Sequence, residues 1–406
     1  MKKKILFFIT AVLLSGLSGF AQTSGKCGDN LNWSYDSGVL TITGTGNMHN
    51  YHTSSYSDAP WYSFRSNITS ISLTEGIASI GDYAFSNCSN IISVIIPNSV
   101  TKIGYRSFYD CTALTSLTIG ISVTSIDEWA FLKCSGLTTV NFNATNCTRM
   151  GGNSANPVFE GCDALTTLNI GNNVTNIPDN VFCGCSGIAS VTIPNSVTQI
   201  GNSAFRGCSG ITSLIIGNSV TTIGSEAFQG CSSLKSLVIP ESVTSISLYA
   251  FSGCSNITSL TIPESVTSIG SRAFSGCSGL TTIINRNSIP VKISDTVFDG
   301  VNKTSCVLKV PSGSVELYQK ADEWKKFLYI VAEGTSIKTP AVDAIRIYPN
   351  PTTDIVYIGI ECTIKVYNSQ GALLQSTFGS QVDLSAYPKG MYLLLVNDVW
   401  VKVMKE

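Results

Sequence analysis

The sequence predicts an α/β solenoid of short parallel strands and helical turns, with a small β cap before it and a β-sandwich after it. Three observations point there. Phe-x-x-Cys recurs at Phe85/Cys88, Phe108/Cys111, Phe131/Cys134, Phe159/Cys162, Phe182/Cys185, Phe205/Cys208, Phe228/Cys231, Phe251/Cys254 and Phe274/Cys277, at intervals of 23 residues except one of 28. Each interval carries the same apolar positions, and a fixed period of this length marks a solenoid. The 406 residues include only 13% charged side chains against 43% apolar ones, about half the usual charge. Outward columns of Ser, Thr and Asn fill that surface, because like charges stacked about 5 Å apart would repel.

Taken in order, residues 1–21 read as a signal peptide. Lys2, Lys3 and Lys4 precede an apolar run from Ile5 to Leu17, and cleavage is expected between Ala21 and Gln22. That run is shorter than the roughly 20 residues a spanning helix needs, and no later segment is longer, so no transmembrane segment is expected. Residues 22–66 form a β-hairpin cap and 67–301 the repeats. A partial copy at Phe64 and Asn67 leads the series, and a degenerate one at Phe298 and Val301 ends it. In one coil, Val191 and Ile193 alternate with hydroxyl residues up to Pro194, the pattern of a half-buried strand. Val197 and Ile200 then turn inward. Ala204, Phe205, Cys208 and Ile211 follow at the spacing of a helical turn. One coil cannot bury that face alone, whereas stacked coils share a core. Five extra residues between Cys134 and Cys162, including Asn143 to Asn156, predict a protruding loop.

The unit from Ile193 to Leu214, Ile-Pro-x-Ser-Val-Thr-x-Ile-Gly-x-x-Ala-Phe-x-x-Cys-x-x-Leu-x-x-Leu in consensus, resembles the 23-residue leucine-rich repeat of BspA-like bacterial surface proteins. Cys27 to Trp33 and Leu40 to Gly46 resemble the hairpin cap of such arrays, and residues 302–334, with Val310-Pro311 and Trp324 to Phe327, their closing cap. After a linker at 335–344, residues 345–406 carry Tyr348-Pro349-Asn350-Pro351-Thr352, Val366-Tyr367-Asn368, Asp383-Leu384-Ser385 and Pro388-Lys389-Gly390-Met391-Tyr392. These resemble the C-terminal sorting domain of the type IX secretion system, expected as a β-sandwich. Cys362 departs from that pattern. The resemblances imply a secreted or outer-surface protein of a Gram-negative bacterium, handled by the secretion machinery through residues 345–406. They also imply an adhesin that engages a host or cell-surface protein or glycan.

Chemistry-bearing residues are few. With pI near 6.2 and no basic cluster after the N-terminus, no nucleic acid is expected. His49 and His52 read as surface residues rather than a metal pair. No catalytic, cofactor or metal site is expected, and the reading is of a non-enzyme and a monomer. Nine cysteines share one column and read as a buried thiol ladder. Any bridge among Cys27, Cys147, Cys183, Cys306 and Cys362 is left open. Glu241 and Glu264 fall in one column, so a secreted glycan-directed hydrolase is the alternative; a structural surface coat is another. For partner binding, the column before the Phe runs Tyr83, Arg106, Trp129, Asn180, Ser203, Glu226, Tyr249 and Arg272. Its first third, with Tyr105 beside it, holds the residue types enriched in binding hot spots. Ile215 and Val238 are a second, apolar candidate on the strand face.

Overall fold

The computed structural model describes residues 23–51, 57–151, 157–334, 347–396 and 399–406; the expected cleavage at Ala21 and Gln22 lies outside them. The chain forms two compact units, residues 1–333 and 334–406.

In the first unit an antiparallel hairpin, Leu31–Asp36 with Val39–Gly44, leads into the stack, since Val39–Gly44 pairs in parallel with Ser70–Leu73. Each later coil lays down a strand of three or four residues and a second one of two, such as Ser190–Thr192 and Gln199–Ile200, and each adds to a parallel ladder. Val191, Ile193, Val197, Ile200, Ala204, Phe205, Cys208 and Ile211 are all buried, as the sequence pattern requires.

The expected helical turn is a run of single turns rather than a helix, with the Arg206 and Cys208 N–H groups donating to the Ser203 and Phe205 carbonyls at 3.2 Å each. Between these, the N–H groups of Ser203, Phe205 and Gly207 donate to the carbonyls of Ser225, Ala227 and Gln229 in the next coil, at 2.8, 2.8 and 2.7 Å. Alternate residues thus bond across coils, as in a sheet. The reason is local: Ser203 and Gly207 have φ of 52° and 73°. A left-handed residue every fourth position stops a right-handed helix from propagating.

The rings of the repeated Phe stack through the whole core, from Phe85–Phe108 at 5.1 Å to Phe274–Phe298 at 5.6 Å between centroids. Tryptophans close the stack. Trp61 lies 5.8 Å from Phe85 and donates its indole N–H to the Ala84 carbonyl at 2.7 Å. Trp324 lies edge-on to Phe298 at 5.5 Å and donates to the Val291 carbonyl at 2.8 Å. Phe64, which the partial copy Phe64 and Asn67 placed at the head of the series, is only partly buried and packs on Trp33 and Tyr35 instead. Each end therefore presents an indole whose N–H has a partner, so burying it leaves no donor unsatisfied.

All fourteen cysteines are free thiols, and thirteen of them are buried. In the repeated column Sγ bonds the Phe carbonyl of the preceding coil, as from Cys111 to Phe85 at 3.2 Å and from Cys208 to Phe182 at 3.1 Å. The thiol acts as a small apolar residue that also satisfies one backbone acceptor.

The longer-strand ladder is divided. Ser93–Ile95, Ser190–Thr192 and Ser236–Val238 do not pair with the strand before them. The breaks coincide with gaps in a threonine column, although Val307–Val310 and Tyr329–Ala332 each pair with the strand before them while holding Cys306 and Leu328 in that place. Thr69, Thr115, Thr138, Thr166, Thr212, Thr258 and Thr281 each stand just before a strand and donate Oγ1 to a carbonyl of the preceding coil, at 3.0 to 3.5 Å. The three breaks fall where that place holds Ile92, Ala189 or Lys235. Without the hydroxyl a coil lacks one tie to its neighbour, of the order of 0.5–1.5 kcal/mol.

The two-residue ladder breaks once, between Arg149–Met150 and Asn176–Ile177. There Thr175 bonds the Thr145 carbonyl through both its amide and its hydroxyl, at 3.1 and 2.7 Å. Of the protruding loop expected here, the first part stays in the stack, with Ala144 and Cys147 fully buried. Residues 152–156 lie outside the described residues.

The second unit has four antiparallel strands in the order Leu373–Asp383, Ile355–Tyr367, Gly390–Val396, Val399–Lys405. The expected sandwich is instead one sheet. A register shift between Tyr357 and Cys362 interrupts the long strand, and Thr352 bridges in parallel to Lys405 at the far edge. An irregular strand bends its sheet, and the bent sheet encloses Val356, Ile364, Val382, Leu394 and Val403. Lys405 is buried and donates to the Leu384 and Tyr387 carbonyls at 2.9 and 2.8 Å.

Candidate functional site

The column before the buried Phe has one backbone property throughout. Tyr83, Arg106, Trp129, Asn180, Ser203, Glu226, Tyr249 and Arg272 all have φ between 49° and 58°. Two coils lie outside this pattern, with Pro157 and Thr296 there; the proline ring fixes a negative φ. A left-handed conformation costs a residue with a Cβ about 1–2 kcal/mol. Four residues on, a second left-handed column uses glycine from Gly161 onward. The first column never does, so eight coils each present a side chain from a strained position.

In the first three coils those side chains gather. Tyr83 and Tyr105 meet edge-on at 5.5 Å, and Tyr105 and Trp129 are tilted at 5.7 Å. The Arg106 guanidinium carbon sits among four rings: 4.7 Å from the Trp129 centroid, 5.3 Å from Tyr105, 5.3 Å from Tyr109 and 6.0 Å from Tyr83. Cation–π contacts of this kind contribute about 0.5–2 kcal/mol each. The cluster is half-buried, and burial pushes the Tyr105 phenol above its ordinary pKa. Lys133 extends it from outside, its Nζ 5.8 Å from the Tyr109 ring. The Trp129 indole N–H donates to Glu160 Oε2 at 3.2 Å. The Tyr105 amide donates to Asp82 Oδ1 at 2.9 Å.

No ion pair or hydrogen bond among the described residues uses the Arg106 guanidinium, and its Nε is buried without an acceptor. Two cations nearby are matched. Lys102 and Arg149 flank Asp127 at 2.9 and 3.5 Å.

Of the sequence candidates, Tyr83, Tyr105, Arg106 and Trp129 are thus brought together. Ile215 and Val238 lie apart from them, on later coils and in the strand ladder. They are 59% and 67% exposed, but they flank a break, because Ser213–Ile215 and Ser236–Val238 do not pair. Ile215 lines a shallow groove of about 470 Å³ with Thr192, Asn195 and Asn218. Ile95 is exposed to 69%, so outward apolar residues on this face are not confined to that pair.

Tyr109 and Lys133 escaped the sequence reading. The signal was there, in the column just after the Phe, where Tyr109 and Leu132 interrupt a mostly polar series.

The remaining candidates stand alone. His49 is exposed, 3.9 Å from Asp29, and His52 lies outside the described residues. Among the described residues no three of His, Cys, Asp or Glu converge on a metal position. Glu241 is exposed and faces Arg286 at 3.5 Å, and Glu264 is exposed at the next bend.

Comparison with known proteins accords with this architecture. A profile of the BspA type leucine rich repeat region matches in six copies over residues 59–189 and 175–306. A secretion system C-terminal sorting domain matches residues 346–406. No curated protein matches the chain. Solved structures similar to it include a leucine-rich repeat protein from Bacteroides ovatus, at 21% identity over 76% of this chain and 79% of that one, with a TM-score of 0.46. A leucine rich cell surface protein from Faecalibacterium prausnitzii is 23% identical over 77% and 96%, with a TM-score of 0.34. The pneumococcal vaccine antigen PcpA is 15% identical over 75% and 98%, with a TM-score of 0.38.

No helix among the described residues is long and apolar enough to cross a membrane. The sorting domain places the protein at the cell surface or outside the cell, by type IX secretion. With repeats matched over more than half its length, the chain belongs to the BspA type leucine-rich repeat proteins.

Proposed function

We propose that this protein is a non-enzymatic surface adhesin, monomeric and displayed after removal of residues 1–21. It recognises a protein or glycan partner through the turn face of its first coils, while residues 345–406 serve export. One observation carries the reading: four aromatic rings surround an arginine with no carboxylate partner, on backbone held in the left-handed region. Aromatic residues and arginine dominate binding hot spots, and strained backbone persists where surrounding structure and function hold it.

The test is binding of the exported chain to arrays of matrix proteins, cell-surface proteins and glycans, beside the double variant Trp129→Ala, Arg106→Ala. A partner bound by the wild type and lost by the variant supports the reading. Binding that the variant retains moves the site elsewhere. Turnover of a polysaccharide that disappears in Glu241→Gln or Glu264→Gln replaces it with a hydrolase, and self-assembly with no heterologous ligand replaces it with a coat protein.

A further inference from the structure

We infer that the Tyr83–Tyr105–Trp129 face is a site for an acidic oligosaccharide, with Arg106 taking a sugar carboxylate and the rings taking the sugar faces. The inference rests on the binding function proposed above and names the ligand class.

The geometry argues in three steps. First, the solenoid sets successive rings in a row along its own axis, at 5.5 and 5.7 Å. The planes turn by 65° and 56° from one ring to the next, so one ring per coil suits a ligand that itself repeats and twists, and the C–H faces of pyranose rings stack on Tyr and Trp. Second, the guanidinium within that row has its orientation set by rings rather than by an acceptor. An arginine fork presents paired donors that match a carboxylate. Third, of the nearby acids, Asp82 and Glu160 are engaged by the Tyr105 amide and the Trp129 indole, and Glu128, whose carbonyl accepts from the Arg106 amide at 3.3 Å, stands beside Tyr105. Lys133 adds a second cation at the rim of the cluster. A neutral glycan would leave Arg106 unmatched, and a simple anion would leave the rings unused. A chain of uronic acid units answers both.

The experiment is calorimetric titration of the exported chain with tetragalacturonic acid, its fully methyl-esterified form, neutral galactotetraose and an octa-aspartate peptide. The esterified probe keeps the rings and removes the charge, while the peptide keeps charge and removes the rings. Tetragalacturonic acid is expected to bind at least about tenfold more tightly than the other three. Arg106→Lys, which keeps the charge but not the fork, is expected to lose about tenfold. Trp129→Ala is expected to lose as much, with thermal melting confirming that both variants are folded. Equal binding of acid and ester overturns the assignment, as does octa-aspartate binding as tight as the sugar, or silence of all four probes. If all are silent while the arrays yield a protein partner lost on Trp129→Ala, the saccharide assignment falls and the adhesin stands. If the arrays are silent as well, both fall.

Discussion

Thr212 ties its coil to the one before it twice: its amide and its hydroxyl both donate to the Ala189 carbonyl, at 2.9 and 3.1 Å. Ala189 itself, in the same place one coil earlier, has no such tie, and there the sheet is broken. Replacing Ala189 or Lys235 with Thr is therefore expected to join the adjacent sheets and stabilise the protein by about 0.5–1.5 kcal/mol each. Thr212→Ala should cost about as much. Urea denaturation measures the change, and slowed amide exchange in residues 189–192 locates it. Unchanged exchange in Ala189→Thr would show that the column does not govern pairing.

The buried thiols make stability fall in alkali. Burial pushes Cys88, Cys231 and Cys277 up to about 12 from 9.0, and Cys27 to about 11. The unfolded chain loses these protons above about pH 9, whereas the folded chain holds them. Stability is thus full below pH 9 and declines as pH rises from 9 toward 12. Denaturant midpoints measured from pH 7 to 11 should show the decline, and it should shrink on Cys231→Ala. At neutral pH, iodoacetamide should label half-exposed Cys183 before any thiol of the buried column.

The two left-handed columns should respond oppositely to substitution. Gly207→Ala places a Cβ at φ 73° and is expected to cost about 1–2 kcal/mol. Ser203→Gly, at φ 52°, is expected to leave stability unchanged or raise it by up to about 1 kcal/mol. Thermal melting of the pair decides, and equal losses in both would remove the argument from strain.

Trp61 is 1% exposed and covers Phe85 at the open end of the ring stack. Trp61→Ala is expected to cost about 3–5 kcal/mol and to raise binding of a hydrophobic dye. Phe64→Ala, at the partly buried ring that packs on Trp33 and Tyr35, should cost less. The reverse order would restore Phe64 as the head of the stack.

The period of 23 residues made the solenoid legible, because one repeated apolar set admits one way of stacking. Residue type alone misplaced its first ring: Phe64 heads a Phe-x-x-Asn copy but lies 21 residues before Phe85, and Trp61, 24 before it, fills the slot. The helical turn was legible as a turn but not in its extent, for a related reason. Ala204, Phe205 and Cys208 have helical spacing, yet the sign of φ at Ser203 is not written in residue type when Tyr, Arg, Trp and Glu occupy the same place. Hydrophobic periodicity likewise says nothing about hydroxyl bonds, so the Thr column and its gaps at Ile92, Ala189 and Lys235 passed unnoticed. At the candidate site the composition of the Tyr83 column was readable. The arrangement of rings about Arg106 was not, because it depends on where a left-handed backbone aims each side chain. In the second unit strand spacing revealed the strands but not that Thr352 and Lys405 bridge, which makes one bent sheet sufficient.

The gaps in the threonine column also bear on how such a protein yields to force. After the cap, the longer-strand ladder falls into blocks of four, two and five strands, each tied within and lacking one tie to the next. Under a pull along the stack these three places would carry the load on two faces of the coil instead of three, because the two-residue ladder and the turn-face bonds continue across them.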